Sequence, residues 1–264
     1  MPVDEGFELR LRSQRLARDD RARAVWEVIE TPERWRAAET ALLLCDVWDQ
    51  HWCRGAVERL EAMIPRMEAV VRSARERGVR VIHAPSDTMA FYEGHPARER
   101  VRAAPPAPPS PLVERADPPL PVDAADGGSD TGETGWYHAW SRQHPGISID
   151  PERDGISDNG DEVYNFLQAE GRRHLLIMGV HTNMCVLGRS FAIRAMVRRG
   201  VQTALIRDLT DTMYNPERSP YVSHEEGTRL VVAYIEKFWC PTVESDELLK
   251  SCKGSYRTPD AGRQ

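Results

Sequence analysis

The sequence predicts an α/β fold, a doubly wound, mostly parallel sheet with helices on both faces. Short apolar runs, ALLLCD at 41–46, VRVIHAP at 79–85, HLLIMG at 174–179 and VQTALIRD at 201–208, have the length of strands buried on both sides. Between them lie longer stretches with apolar residues at helical spacing, and strands that alternate with helices imply parallel pairing.

Residues 1–40 read as an N-terminal extension, with an extended start (FELRLR) and then charged, helical sequence carrying Trp26 and Trp35. The main domain spans 41–240, and its first strand, 41–46, ends in Asp46. AVERLEAMIPRMEAVVRSARERG (56–78) reads as a helix stopped by glycine, with Pro65 expected to kink or divide it. The next strand, 79–85, is broken by Pro85. Residues 104–135 are rich in Pro, Gly and Asp and have no periodicity, which predicts a partly extended surface excursion, a lid or an oligomer arm. A helix at 161–173, a strand at 174–179, a helix at 184–200, a strand at 201–208 and a helix near 223–239 follow, then a C-terminal tail, 241–264.

At 264 residues, with 41% hydrophobic and 29% charged, the chain suits one large globular domain with a buried core. No apolar run approaches the ~20 residues that would cross a bilayer, so no membrane partner is expected. A net charge of −6, with acids interleaved among the arginines of RLRSQRLARDDRARA, argues against nucleic acid and leaves a small-molecule substrate. Five cysteines without a CxxC pair, and an N-terminus lacking the apolar core of a secretory signal, point to a reducing cytoplasm.

Ligands of such sheets bind beyond the carboxyl ends of the strands. That brings together Asp46 to Cys53, His83 to Asp87, His181 to Cys185 and Asp208 to Asp211. Cys185 opens a helix, where unpaired N–H groups and the positive dipole end favour thiolate and could hold an oxyanion. It could equally be a small hydrophobe at a strand–helix packing point. Asp46, closing an apolar strand, is either a proton carrier raised by desolvation or a cap for the next segment. Together the two make a base–nucleophile couple. Trp48, Trp52 and Phe91 either wall the pocket or belong to the core.

LLLCDVW around Asp46, GVHTNMCV around Cys185 and RRGVQTALIRDLTDT beyond it resemble the isochorismatase-like cysteine hydrolases, the superfamily of nicotinamidases and carbamoylsarcosine amidohydrolases. The resemblance covers roughly residues 40–100 and 145–240, and GVxTxxCV is its most specific element. It implies six mostly parallel strands, Asp46 as catalytic acid–base, Cys185 as nucleophile and a homo-oligomer. It also implies a cis Val180–His181 peptide that turns the backbone N–H groups of His181 and Cys185 toward an oxyanion. Val180, His181 and Trp48 are expected around the substrate. His181 replaces the small residue usual there and either binds substrate, orients water or is satisfied by backbone.

The family's catalytic lysine has no counterpart. Its slot falls near DPERDG, at Glu152 and Arg153, and the only lysines are Lys237, Lys250 and Lys253. Arg153 is therefore expected as a fixed-charge stand-in, unless the chemistry differs. Nicotinamidase-like members also hold a divalent metal through a D-x-H arrangement. Here Asp49 and His51 form one, and His83, Asp87 and His95 lie after the next strand. Those donors would suit zinc, or they are ordinary polar lining; the thiol mechanism itself requires no cofactor. The leading expectation is a cysteine-dependent hydrolase of a small amide, working through a thioester. The alternatives are a non-catalytic ligand-binding or scaffold protein, and a metal-dependent hydrolase using His51, His83 and Asp87.

Overall fold

The computed structural model describes residues 6–250; the remainder, which includes Cys252 and Lys253, lies outside the described residues. The strands are β1 (Phe7–Arg18), β2 (Ala24–Trp35), β3 (Thr40–Cys45), β4 (Arg80–Ala84), β5 (Gly155–Ile156), β6 (His174–Val180), β7 (Gln202–Asp211) and β8 (Thr242–Val243). The helices are α1 (Arg54–Glu76), α2 (Pro96–Arg102), α3 (Gly160–Ala169), α4 (Cys185–Gly188), α5 (Ile193–Arg198), α6 (His224–Phe238) and α7 (Ser245–Leu249).

Pleating divides each central strand between two cores. In β3, Ala41, Leu43 and Cys45 pack to one side, and Leu42 and Leu44 to the other. β6 repeats the pattern, with Leu175 and Ile177 opposite Leu176, Met178 and Val180. Side chains of α3, α5 and α6 cover the first side, and those of α1 and α7 the second. Leu42, Leu43 and Leu44 are fully buried, each a gain of about 1.5–3 kcal/mol.

The sheet runs β2-β1-β8-β7-β6-β3-β4-β5. From β8 to β5 its six strands are parallel, as the sequence predicts. The N-terminal segment corrects the expectation. Residues 24–35 form a strand, not a helix, and pair antiparallel with β1 along their whole length, Phe7 opposite Trp35 and Arg18 opposite Ala24. The hairpin joins the sheet through Arg12 opposite Thr242. Most of β2 is exposed on both faces, so it has no apolar alternation to betray it. The tail is also more than an appendage, since it supplies β8 and α7.

Two helical expectations change. α1 continues through Pro65 undivided. Pro65 and Glu61, whose carbonyl loses its partner, both lie on the exposed face, where water can satisfy the freed group. The helix expected over 184–200 is instead broken into α4 and α5, with Arg189 extended between them (φ −62°, ψ 152°).

β3 and β6 approach closely at Gly179. Its φ is +126°, and a Cβ there would stand 2.0 Å from the Cys45 carbonyl oxygen. Only glycine fits without moving a strand end that carries the site. Gly179→Ala should lower unfolding free energy by about 3 kcal/mol or more, whereas Gly188→Ala, with open space around it, should stay within about 1 kcal/mol. Urea denaturation of the two variants checks this.

Candidate active site

The carboxyl ends of β3, β4 and β6 meet at one buried carboxylate. Asp46 takes a left-handed conformation (φ +50°) directly after β3, which aspartate tolerates better than most residues. Its Oδ1 accepts the Ser86 N–H at 2.7 Å, and its Oδ2 accepts the Arg189 Nε–H at 3.0 Å. The Cys185 thiol also hydrogen-bonds to Asp46. Burial raises the Asp46 pKa, while Arg189, the thiol and Ser86 hold it down; the balance is upward. Asp46 is thus suited to receive a proton.

Cys185 departs from the expected thiolate. Burial first, and the Asp46 charge second, push its thiol up to about 12, against the Arg189 charge and a backbone hydrogen bond from His181. A single four-residue turn generates little of the dipole a long helix would bring, so desolvation prevails. The thiol rests protonated, with Asp46 placed to relieve it of the proton.

Arg189 supplies the cation that the sequence reading placed at Arg153. Its guanidinium reaches Asp46 and, at 3.4 Å, Asp87. The break between α4 and α5 is what frees Arg189 from the helix to make this turn. Arg153 is 60% exposed and ion-pairs with Asp150 at 2.7 Å in a turn; it does not line the cavity. Arginine four residues beyond Cys185 was visible in the sequence, but the broken helix that aims it was not.

Above the trio lies a cavity of about 580 Å³, within the range of small-molecule sites. Trp48 and Trp140 stack in its wall with centroids 4.0 Å apart, and Trp52, Trp136, Met184 and Met213 add apolar surface. Trp48 and His181 line the cavity, and the Val180–His181 bond is cis. Val180 is buried against the core, so its side chain is no part of the lining. Phe91 is exposed and lies outside the cavity.

The proline-rich excursion folds back over the site. Asp126, Gly127 and Thr134, with Trp136 and Trp140 just beyond, line the cavity. Asp130 ion-pairs with Arg59 of α1 at 2.7 Å, and Arg59 with Asp211 at 3.0 Å. The Nε2 of His224, at the start of α6, shares a hydrogen bond with Asp211 at 2.9 Å. Burial works to raise the Asp211 carboxyl, but His224 and Arg59 outweigh it and its pKa is lowered. Gly128 (φ +75°) packs against Met213, whose carbonyl carbon a Cβ would meet at 2.6 Å.

The expected metal donors are not brought together. Asp49 accepts from the Ser141 N–H and hydroxyl, at 2.8 and 2.6 Å. His83 is fully buried between Asp154 and Gln143. Asp87 meets Arg189, and His95 caps α2 by accepting from Ala97. Only His51 lines the cavity together with Asp87, and its Nδ1 accepts the Cys53 N–H. Among the described residues no group of three or more His, Cys, Asp or Glu could hold a metal ion. These residues do not fit a zinc site. His83 instead secures Gln143, which pairs with Trp48 in an isolated bridge and so fixes the stacked wall.

No protein-family model matches the chain. No curated protein matches it either. Among solved structures it is similar to a cysteine hydrolase from Pseudomonas syringae pv. phaseolicola, at 14% identity and a TM-score of 0.50 over 81% of this chain and 92% of that one. Also similar are an isochorismatase from Pseudomonas putida (12%, 0.49, 80% and 90%) and an isochorismatase family protein from Burkholderia thailandensis (14%, 0.46, 81% and 97%). The first likeness is one of fold: the two chains share a doubly wound, mostly parallel sheet.

If Asp46 is what keeps the thiol protonated, its charge and hydrogen bond should be removable. Asp46→Asn should speed alkylation of Cys185 by iodoacetamide at pH 8.5 by about tenfold or more, the equivalent of one pKa unit. Peptide mass spectrometry separates Cys185 from the buried Cys45, Cys53 and Cys240; an unchanged or slower rate contradicts the coupling.

Proposed function

We propose that the protein is a cysteine-dependent hydrolase of a small amide or related C–N bond, acting through a thioester. The observation that carries the reading is the contact of the Cys185 thiol and Arg189 guanidinium, both in the cavity wall, with the Asp46 carboxylate buried behind them. Asp46 takes the Cys185 proton as sulfur attacks the substrate carbonyl, so the high resting thiol pKa is overcome only with substrate in place. The tetrahedral oxyanion is received by backbone N–H groups of His181 and Cys185; the latter, as first residue of α4, has no intrahelical acceptor.

Collapse of the intermediate breaks the C–N bond, with the Asp46 proton passing to the leaving amine. Water, deprotonated by Asp46, then adds to the thioester and releases the acid and the thiol. Arg189 is a fixed charge, because guanidinium does not give up a proton in this range. Its task is to steady a buried Asp46 in the ionised form between proton transfers.

Arg189 answers the objection that motivated a non-catalytic reading, namely the lack of a lysine. The local partners of His51, His83 and Asp87 weigh against the metal-dependent one. Leu16, Trp26 and Val28, exposed on the hairpin, support assembly into a homo-oligomer. No described helix is long and apolar enough to cross a membrane.

Against a panel of small amides, Cys185→Ala should abolish amine release and Asp46→Asn should lower it by about 10²–10⁴-fold. Full turnover by Cys185→Ala would refute the mechanism.

A further inference from the structure

Outside the catalytic trio, four ionisable side chains from four segments are packed together. Asp211 ends β7, Arg59 belongs to α1, His224 opens α6 and Asp130 comes from the proline-rich excursion. None is more than 27% exposed. Arg59 reaches Asp130 at 2.7 Å and Asp211 at 3.0 Å. His224 meets Asp211 through Nε2 at 2.9 Å and the Tyr214 carbonyl through Nδ1 at 2.9 Å, with Asp130 3.5 Å from that second nitrogen.

Two features fix the proton count of His224. A carbonyl and a carboxylate only accept hydrogen bonds, so both ring nitrogens must donate, and an imidazole protonated at both is a cation. With that cation the cluster balances, two carboxylates against a guanidinium and an imidazolium. Without it one buried carboxylate goes uncompensated, which a low-polarity interior resists. Burial and then Arg59 oppose the charge, but the hydrogen bond and charge of Asp211, helped by Asp130, prevail, and His224 is raised above its ordinary 6.5. Glu225 on the same turn favours the cation, while His181, held down to about 3 by burial, stays neutral. The cluster touches both working parts of the site. The loop carrying Cys185 is built on the end of β7: Thr182 N–H donates to the Asp211 carbonyl at 2.8 Å, and the Thr182 and Thr210 hydroxyls share a hydrogen bond at 2.8 Å. The Asn183 side chain donates to the Met213 carbonyl at 2.9 Å and accepts the Met213 N–H at 3.0 Å. Asp130, in turn, lies in the chain between Asp126 and Trp136, which line the cavity. Asp211 is held in a paired strand, whereas Asp130 sits in a loop, so Asp130 is the carboxylate that yields when the balance fails.

We propose that His224 is a positioning residue that works as a proton-operated latch on the site. Its imidazolium holds the excursion over the cavity through Asp130 and steadies the end of β7 beneath the Cys185 loop; loss of the proton loosens both. A histidine raised in the folded state gives its full contribution below its ordinary 6.5 and loses it as pH rises through the higher folded value. The latch is therefore engaged on the acid side and released on the alkaline side. Its purpose rests on the hydrolase reading, but the latch itself is measured without turnover.

Long-range proton–nitrogen NMR of the full-length, histidine-labelled protein, with His224 assigned from His224→Gln, should show both its ring nitrogens protonated and a titration midpoint above 6.5. Hydrogen exchange of residues 126–140 and 181–185, corrected for intrinsic rates, should quicken about tenfold or more through that midpoint, the equivalent of one pKa unit. His224→Gln should exchange at the faster rate at every pH, with no step. Asp130→Asn, a loop substitution, keeps the test open if His224→Gln does not fold. It should lower the His224 midpoint by about one pH unit and quicken exchange over 126–140 throughout. A midpoint at or below 6.5, an exchange profile without a step, a step that survives in His224→Gln, or an Asp130→Asn midpoint equal to the wild type's overturns the proposal. For any amide that is cleaved, KM should rise through the same midpoint and stay at the raised value in His224→Gln. Should exchange show the step in a protein that cleaves no amide, the latch stands and the hydrolase reading falls. Should amides be cleaved with no step in exchange, hydrolysis stands and the latch falls.

Discussion

A single buried carboxylate organises this molecule. Asp46 lies fully out of solvent at the end of an apolar strand, a position that would neutralise it unless it were compensated. Compensation comes from three groups on two segments: the Ser86 amide after β4, and the Cys185 thiol and Arg189 guanidinium at the two ends of α4. Each contact requires the sheet to bring distant stretches of chain to one point, so fold and chemistry are coupled there. Both pKa values are raised by the same arrangement: burial is the largest cause of each, and the Asp46 charge adds to the shift at the neighbouring sulfur.

The chain also builds a roof over this point. Residues that look like a featureless excursion are tied down by Asp130 to Arg59, and onward to Asp211 and His224. The tie leads straight into Trp136 and Trp140. Enclosure lowers the local polarity, which strengthens the Asp46–Arg189 interaction and keeps both cavity histidines neutral. The same enclosure is the largest cause of the raised Cys185 pKa.

Much of this was legible in the sequence, for identifiable reasons. ALLLCD and HLLIMG betray central strands because burial on both faces demands unbroken apolarity, and Asp46 and Cys185 are conspicuous at their ends. The shortest strands and the polar outer one were not legible. β5 and β8 are two residues each, too short for any period, and β2 has polar side chains on both faces. Arg189 was hidden by helical spacing that continues across a break, so nothing in the sequence singled it out. Arg153 drew attention by counting along the chain, yet its turn points it at Asp150. The expected metal donors share strand ends with the site, but each is claimed by a local partner that sequence spacing does not reveal.

The most direct test of the account is to catch the covalent intermediate. Acid quench within the first turnovers of an amide substrate, followed by intact-mass and peptide mass spectrometry, should find one acyl group on the peptide containing Cys185, removable by hydroxylamine and absent from Cys185→Ala. A substrate that turns over with no acyl group on Cys185 at any quench time, or with the adduct on another residue, would contradict it.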